Sequence, residues 1–193
     1  MKVISSIIVF LFLSDFIFPQ SEIPDYTFTP EIGIGYSRYI TDMEYNDLNK
    51  NGFSGTLRLM WIPEHLLSVG LETGYEYLYS IRLKNIDTEF GSTNFSASMI
   101  AVPICIVFAM KITDRIKILG GSGTYLLFNR GELFGDELKS SLISIGLHTG
   151  LSYTYPMNKD FSIGGEIKYS YIAKIQDQTL SVQAIFMYNL IKW

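Results

Sequence analysis

Between residues 67 and 79 one parity of the chain holds Leu67, Val69, Leu71, Thr73, Tyr75, Tyr77 and Tyr79, while the other holds Ser68, Gly70, Glu72, Gly74 and Glu76. A helix turns 100° per residue, so a period of two sustained this long cannot sit on one helical face; it can sit on one face of a strand. The preceding stretch obeys the same rule, with Phe53, Gly55, Leu57, Leu59 and Trp61 against Ser54, Thr56, Arg58 and Met60. The charges Arg58, Glu72 and Glu76 all fall in the small or polar parity.

The pattern recurs along the chain in segments of about ten residues closed by turns. A first segment sets Phe28, Ile32, Ile34 and Tyr36 against Thr29, Glu31, Gly33, Gly35 and Ser37. A fourth, Phe95 to Met110, is apolar on both faces, with Ile100, Val102, Ile104, Ile106 and Phe108 on one and Ala101, Pro103, Cys105 and Val107 on the other. A fifth, Ile116 to Phe128, is the least regular and puts Lys117, Gly121 and Gly123 in one phase. A sixth sets Ile143, Ile145, Leu147, Leu151, Tyr153 and Tyr155 against Ser144, Gly146, His148, Gly150 and Ser152. A seventh sets Phe161, Ile163, Ile167, Tyr169 and Tyr171 against Ser162, Gly164, Glu166, Lys168 and Ser170. The eighth sets Leu180, Val182, Ala184, Phe186, Tyr188 and Leu190 against Ser181, Gln183, Ile185, Met187 and Asn189.

Composition decides what the greasy face meets. Hydrophobic residues make up 48% of the chain and only 18% is charged, and the mean hydropathy is +0.21. A spanning-helix protein needs several apolar runs of roughly 20 residues, and this chain has one apolar segment, at its start. A soluble lipocalin-like barrel or sandwich would also alternate, but its polar face would point outward and carry more charge. The expected fold is therefore all-β: an eight-stranded antiparallel up-and-down transmembrane β-barrel with lipid against the apolar parity.

Connection lengths orient it. Links after segments two, four and six are short (Pro63-Glu64-His65, Lys111 to Arg115, Pro156 to Asp160), whereas Thr41 to Asn51, Ser80 to Asn94 and Asn129 to Ser140 are longer and polar. Short turns face the periplasm in outer-membrane barrels and long loops face outside. Aromatic residues follow: Tyr36, Tyr75, Tyr77, Tyr79, Tyr169 and Tyr171 form an outer girdle, and Trp61, Phe108, Tyr153, Tyr155 and Tyr188, with terminal Trp193, a periplasmic one. Because Phe186, Tyr188 and Leu190 occupy the phase opposite to Trp193, the last strand either shifts register near Asn189 or carries a degenerate assembly signal.

Residues 1–21 read as a secretory signal, with Lys2, then an apolar stretch from Val3 to Phe18, then Pro19-Gln20-Ser21. Residues 22–193 are left as one barrel domain, located in the cell outer membrane. The net charge of -4 argues against nucleic acid, which needs a clustered basic surface. A lone cysteine, Cys105, excludes an internal disulfide.

The Ile100-Ala101-Val102-Pro103-Ile104 motif is followed by the glycine-rich Ile118-Leu119-Gly120-Gly121-Ser122-Gly123-Thr124-Tyr125-Leu126-Leu127. With Gly146 to Leu151 and Glu166 to Tyr171, these segments resemble the outer membrane protein β-barrel domain family, the small porin-like barrels typical of Bacteroidetes-type bacteria. The resemblance covers nearly all of the mature chain, and Ala101 stands where the motif usually has a longer side chain.

A barrel of eight strands is filled by its own side chains. Glu31, Arg58, Glu72, Glu76, Lys117, His148, Glu166 and Lys168 are thus expected to form a paired polar network in the lumen, since an unpaired buried charge is very costly. His148 with Ser144 or Ser152 could be imagined as hydrolytic, but the spacing is not compelling, and neither a phosphate-binding loop nor a metal-ligand cluster is seen. Asp42, Glu44 and Asp47, with Asp87 and Glu89, read as solvated loop charges that could bind bridging cations. The expectation is a non-enzymatic barrel with a structural, surface-interaction or limited-permeation role and no cofactor, the alternatives being a lipid-modifying enzyme or a narrow ion-conducting pore. Expected partners are outer-membrane lipids and lipopolysaccharide, periplasmic chaperones and the barrel-assembly machinery, the chain itself being monomeric.

Overall fold

The computed structural model describes residues 26–43, 47–63, 67–88, 91–133 and 136–192, without the side chains of 84–88, 91–93, 133 and 191–192. The expected signal segment, His65, Glu44, Glu89 and Trp193 lie outside the described residues. The strands are β1 (Thr27–Ile40), β2 (Leu48–Asn49), β3 (Asn51–Ile62), β4 (Leu67–Thr88), β5 (Gly91–Lys111), β6 (Ile116–Leu133), β7 (Asp136–Pro156), β8 (Phe161–Ile172), β9 (Asp177–Tyr188) and β10 (Ile191–Lys192). Apart from the short β2 and β10, each strand pairs antiparallel with the next, and β1 also pairs with β9. The sheet therefore closes into an up-and-down ring of eight strands and leaves no edge along the ring, which is the condition for β-structure to cross a bilayer.

Side-chain phase follows the alternation in the sequence. Ile32, Ile34, Leu57, Leu71, Ile104, Ile145 and Val182 are exposed, whereas Glu31, Arg58, Glu72, His148, Glu166 and Lys168 are buried. An apolar exterior around a charged interior is the reverse of a soluble barrel.

Two long links prove to be strand. β4 and β5 stay paired out to Thr88↔Gly91, and β6 and β7 out to Leu133↔Asp136. Instead of polar loops over Ser80 to Asn94 and Asn129 to Ser140, two hairpins join into a four-stranded arm. A crossing strand needs about 9–11 residues, so β3, β8 and β9, with 12 each, barely exceed the membrane. β4, β5 and β7, with 22, 21 and 21, run well beyond it on one side. Outside lipid a strand loses the requirement for an apolar phase, and composition no longer reveals it.

Two irregularities reposition single residues. The β4–β5 register shifts between Tyr77 and Tyr79. Tyr79 accordingly leaves the outward series and stacks on buried Tyr39 with ring centroids 5.6 Å apart, which corrects its expected place in the girdle. At the C-terminus β9 pairs with β1 through Glu31↔Met187, but β10 pairs through Phe28↔Ile191, a slip of one residue across Asn189–Leu190. Such a slip exchanges the two faces of a strand, and it selects the register-shift alternative.

Candidate functional site

The lumen is built around Arg58. Glu31, Arg58 and Glu72 are successive register partners on β1, β3 and β4, so their side chains stand in one row on the inner face. Glu166 reaches the same point from β8, across the barrel. Arg58 Nε and Nη2 donate to Glu72 Oε2 at 2.8 and 2.6 Å. Nη1 and Nη2 donate to the two oxygens of Glu166 at 3.0 and 2.9 Å, and Nη1 also donates to Glu31 at 2.7 Å. These five bonds match the five N–H groups of a guanidinium.

Lys168 extends the network toward the arm end. Its Nζ donates to Glu72 Oε1 at 3.0 Å and to Thr56 Oγ1 at 3.2 Å, and it lies 3.3 Å from Glu76 Oε1. Glu76 also accepts from Thr179 at 3.1 Å and Ser170 at 3.4 Å. Toward the chain termini Lys117 Nζ lies 4.0 Å from Glu31. Four carboxylates thus face three cations.

His148 sits beside the cluster with Nε2 3.9 Å from Glu72 Oε2, and neither ring nitrogen makes a hydrogen bond. No serine hydroxyl bonds to it, and Ser144 Oγ instead bonds the backbone at Ile145 and Lys174. Gly121 admits the ring, since a Cβ there would lie 2.4 Å from it. Among the described residues no group of three His, Cys, Asp or Glu side chains could hold a metal ion.

Apolar side chains pack on both sides of this charged layer, among buried serines and threonines. Tyr39, Leu78, Met99, Leu127 and Ile172 pack near the arm end, and Met60, Val107, Ala109 and Leu119 near the termini; all are buried. At the arm end the Tyr39 hydroxyl also bonds Asp177, at the base of the β8–β9 turn, where Gln176 adopts φ 56°. The network was legible as a set of inward charges, but Tyr39, Tyr125 and the hydroxyls of Thr56, Ser170 and Thr179 were not singled out. Their signal was parity alone.

The expected girdle residues divide between the two ends of the barrel. Tyr36, Tyr75, Tyr77, Tyr169 and Tyr171 lie toward the arm end, and Trp61, Phe108, Tyr153, Tyr155 and Tyr188 toward the termini. Arg115, in a turn at the termini end, lies over the Tyr155 ring at 5.5 Å.

A closed ring, an apolar exterior and a sealed, ion-paired interior define a transmembrane β-barrel. Two solved outer-membrane proteins share the fold. The attachment invasion locus protein Ail of Yersinia pestis superposes with a TM-score of 0.52 at 17% identity, over 83% of this chain and 98% of its own. A major outer membrane protein from Thermus thermophilus gives 0.53 at 14% identity, over 86% and 99%. No family model matches the chain, and no curated protein matches it in sequence. The likeness is one of fold.

Proposed function

We propose that this chain is an exported, monomeric, non-enzymatic barrel of the cell outer membrane, of the small porin-like type found in Bacteroidetes-type bacteria, with its working surface on the arm and its lumen serving as scaffold. Residues 1–21 are the signal removed on export, and periplasmic chaperones and the barrel-assembly machinery handle the remainder. The termini and short turns lie in the periplasm, and the arm stands outside among lipopolysaccharide and other outer-membrane lipids.

The observation that carries this reading is the sealed lumen. Arg58, Glu72, Glu166 and Lys168 are each 2% exposed, and the side chains packed on both sides of them are buried as well. An ion would have to displace bonded charges and the closely packed side chains on either side of them. Planar-bilayer recordings of purified protein are expected to show no discrete conductance; steady unitary steps of reproducible size would overturn the scaffold reading in favour of the narrow pore.

Enzymatic use of His148 has no support in its surroundings: the ring is buried and bonded to no nucleophile. His148→Ala should leave the lipid A mass spectrum of the producing cells unchanged. A new or missing acyl or phosphate mass in that spectrum would establish the lipid-modifying alternative.

A further inference from the structure

Where the lipid-facing belt meets the arm, the outer surface of β4 to β7 holds an open groove of about 540 Å³. The last apolar row of the belt sets its floor: Tyr77, Ile100 and Phe128 are successive register partners. Two residues further along each strand, the register places Ser98, Arg130 and Lys139 side by side. All three line the groove.

That second row is electrostatically unusual. Arg130 and Lys139 stand directly opposite one another across β6 and β7, an arrangement in which like charges repel. Glu137 answers both, at 3.0 Å from Arg130 Nε and 2.9 Å from Lys139 Nζ. The hydrogen bond from Lys139, with the charges of Lys139 and Arg130, holds its carboxyl below the usual carboxylate range. The groove's own lining holds Arg130 and Lys139 and no carboxylate, and Glu137 and Glu132 stand opposite one another one row further out, in register with Ser96 and Arg82. Going outward from the membrane, the surface therefore reads aromatic and aliphatic, then hydroxyl-bearing and cationic, and finally acidic on β6 and β7 with Arg82 beside it on β4.

We propose that this groove binds one molecule of a phosphorylated, acylated sugar lipid of the surrounding leaflet, with an acyl chain along Tyr77, Ile100 and Phe128 and a phosphate on Arg130 and Lys139. Ser98 and Ser141 supply hydroxyls at the level of the sugar. The phosphate adds to Glu137 in offsetting the opposed cations, and the carboxylates of Glu132 and Glu137 in the row above oppose its movement outward along β6 and β7. The proposal rests on the placement of the arm in the external leaflet.

The test is native mass spectrometry of the purified full chain in detergent micelles, titrated with bisphosphorylated lipid A, phosphatidylglycerol or inorganic phosphate. A single lipid A adduct is expected, stronger than that of phosphatidylglycerol. It should weaken by roughly tenfold in an Arg130→Ser/Lys139→Ser double variant, the scale expected for two exposed charge contacts. Because both side chains are solvent-exposed, the variant should fold, and its unboiled gel mobility checks this. Undiminished binding by the folded double variant would overturn the groove while leaving the membrane placement intact. Absence of any lipid adduct on the wild-type chain would count against both. Equal binding of phosphatidylglycerol would remove the sugar from the proposal, and displacement of lipid A by millimolar inorganic phosphate would reduce it to an anion site.

Discussion

Arg58→Met should destabilise the folded barrel by about 3–5 kcal/mol, the cost of breaking a buried ion-paired cluster by removing one partner. The guanidinium holds Glu31, Glu72 and Glu166 with its five N–H groups. With it gone, Lys168 still reaches Glu72, but Glu166 has no other cation within 4 Å among the described residues. Arg58→Lys should recover only part of the loss, because an ammonium offers three donors and no planar fork. Unfolding by guanidinium chloride in phospholipid vesicles, followed by gel mobility and tryptophan fluorescence, reads the effect. Should Arg58→Met prevent folding altogether, the variant that also carries Glu166→Gln decides. Neutralising the stranded carboxylate should restore a folded band, and a network that does not stabilise the barrel through charge would show neither the loss nor the recovery.

The phases of the eight membrane strands were readable because lipid imposes a binary choice at every position. Ile32, Leu57, Leu71, Ile104, Ile145, Ile167 and Val182 could face only hydrocarbon, and their neighbours had to be small or paired. Reading failed wherever that constraint lapsed. Over residues 80–88, 91–94, 129–133 and 136–140 the chain continues as strand in water, and serine, asparagine and charged residues there look like loop. Tyr79 failed differently: a bulge changes parity without a compositional mark, so an aromatic residue in the outward series turned inward onto Tyr39.

The lumen was legible in part for the same reason. Hairpin registers place Arg58 opposite both Glu31 and Glu72, so that row follows from local pairing. The Arg58–Glu166 fork spans 108 residues and joins strands that are not neighbours in the ring. It depends on the tilt and stagger of the closed barrel, which no single segment encodes. The groove on the arm needed the register of four strands at once, because the opposition of Arg130 to Lys139 appears only when β6 and β7 are known to stay paired beyond the membrane.

Ile145 and Leu138 lie on the same strand, 71% and 64% exposed, and the membrane reading assigns them opposite fates. Ile145 belongs to the belt, flanked by Ile143 and Leu147 on its own strand and partnered by Thr124 on β6. Leu138 belongs to the arm and pairs with Gly131, beyond the last aromatic row. A cation placed at the bilayer midplane of a barrel costs about 2–4 kcal/mol, whereas a surface substitution in water is usually worth within about 0.5 kcal/mol. Ile145→Arg should therefore lower stability in vesicles by several times more than Leu138→Arg does, and the gap should narrow in detergent micelles, which deform around the charge. Equal, small effects at both positions would mean that water, not lipid, covers Ile145, and the barrel would have to be soluble.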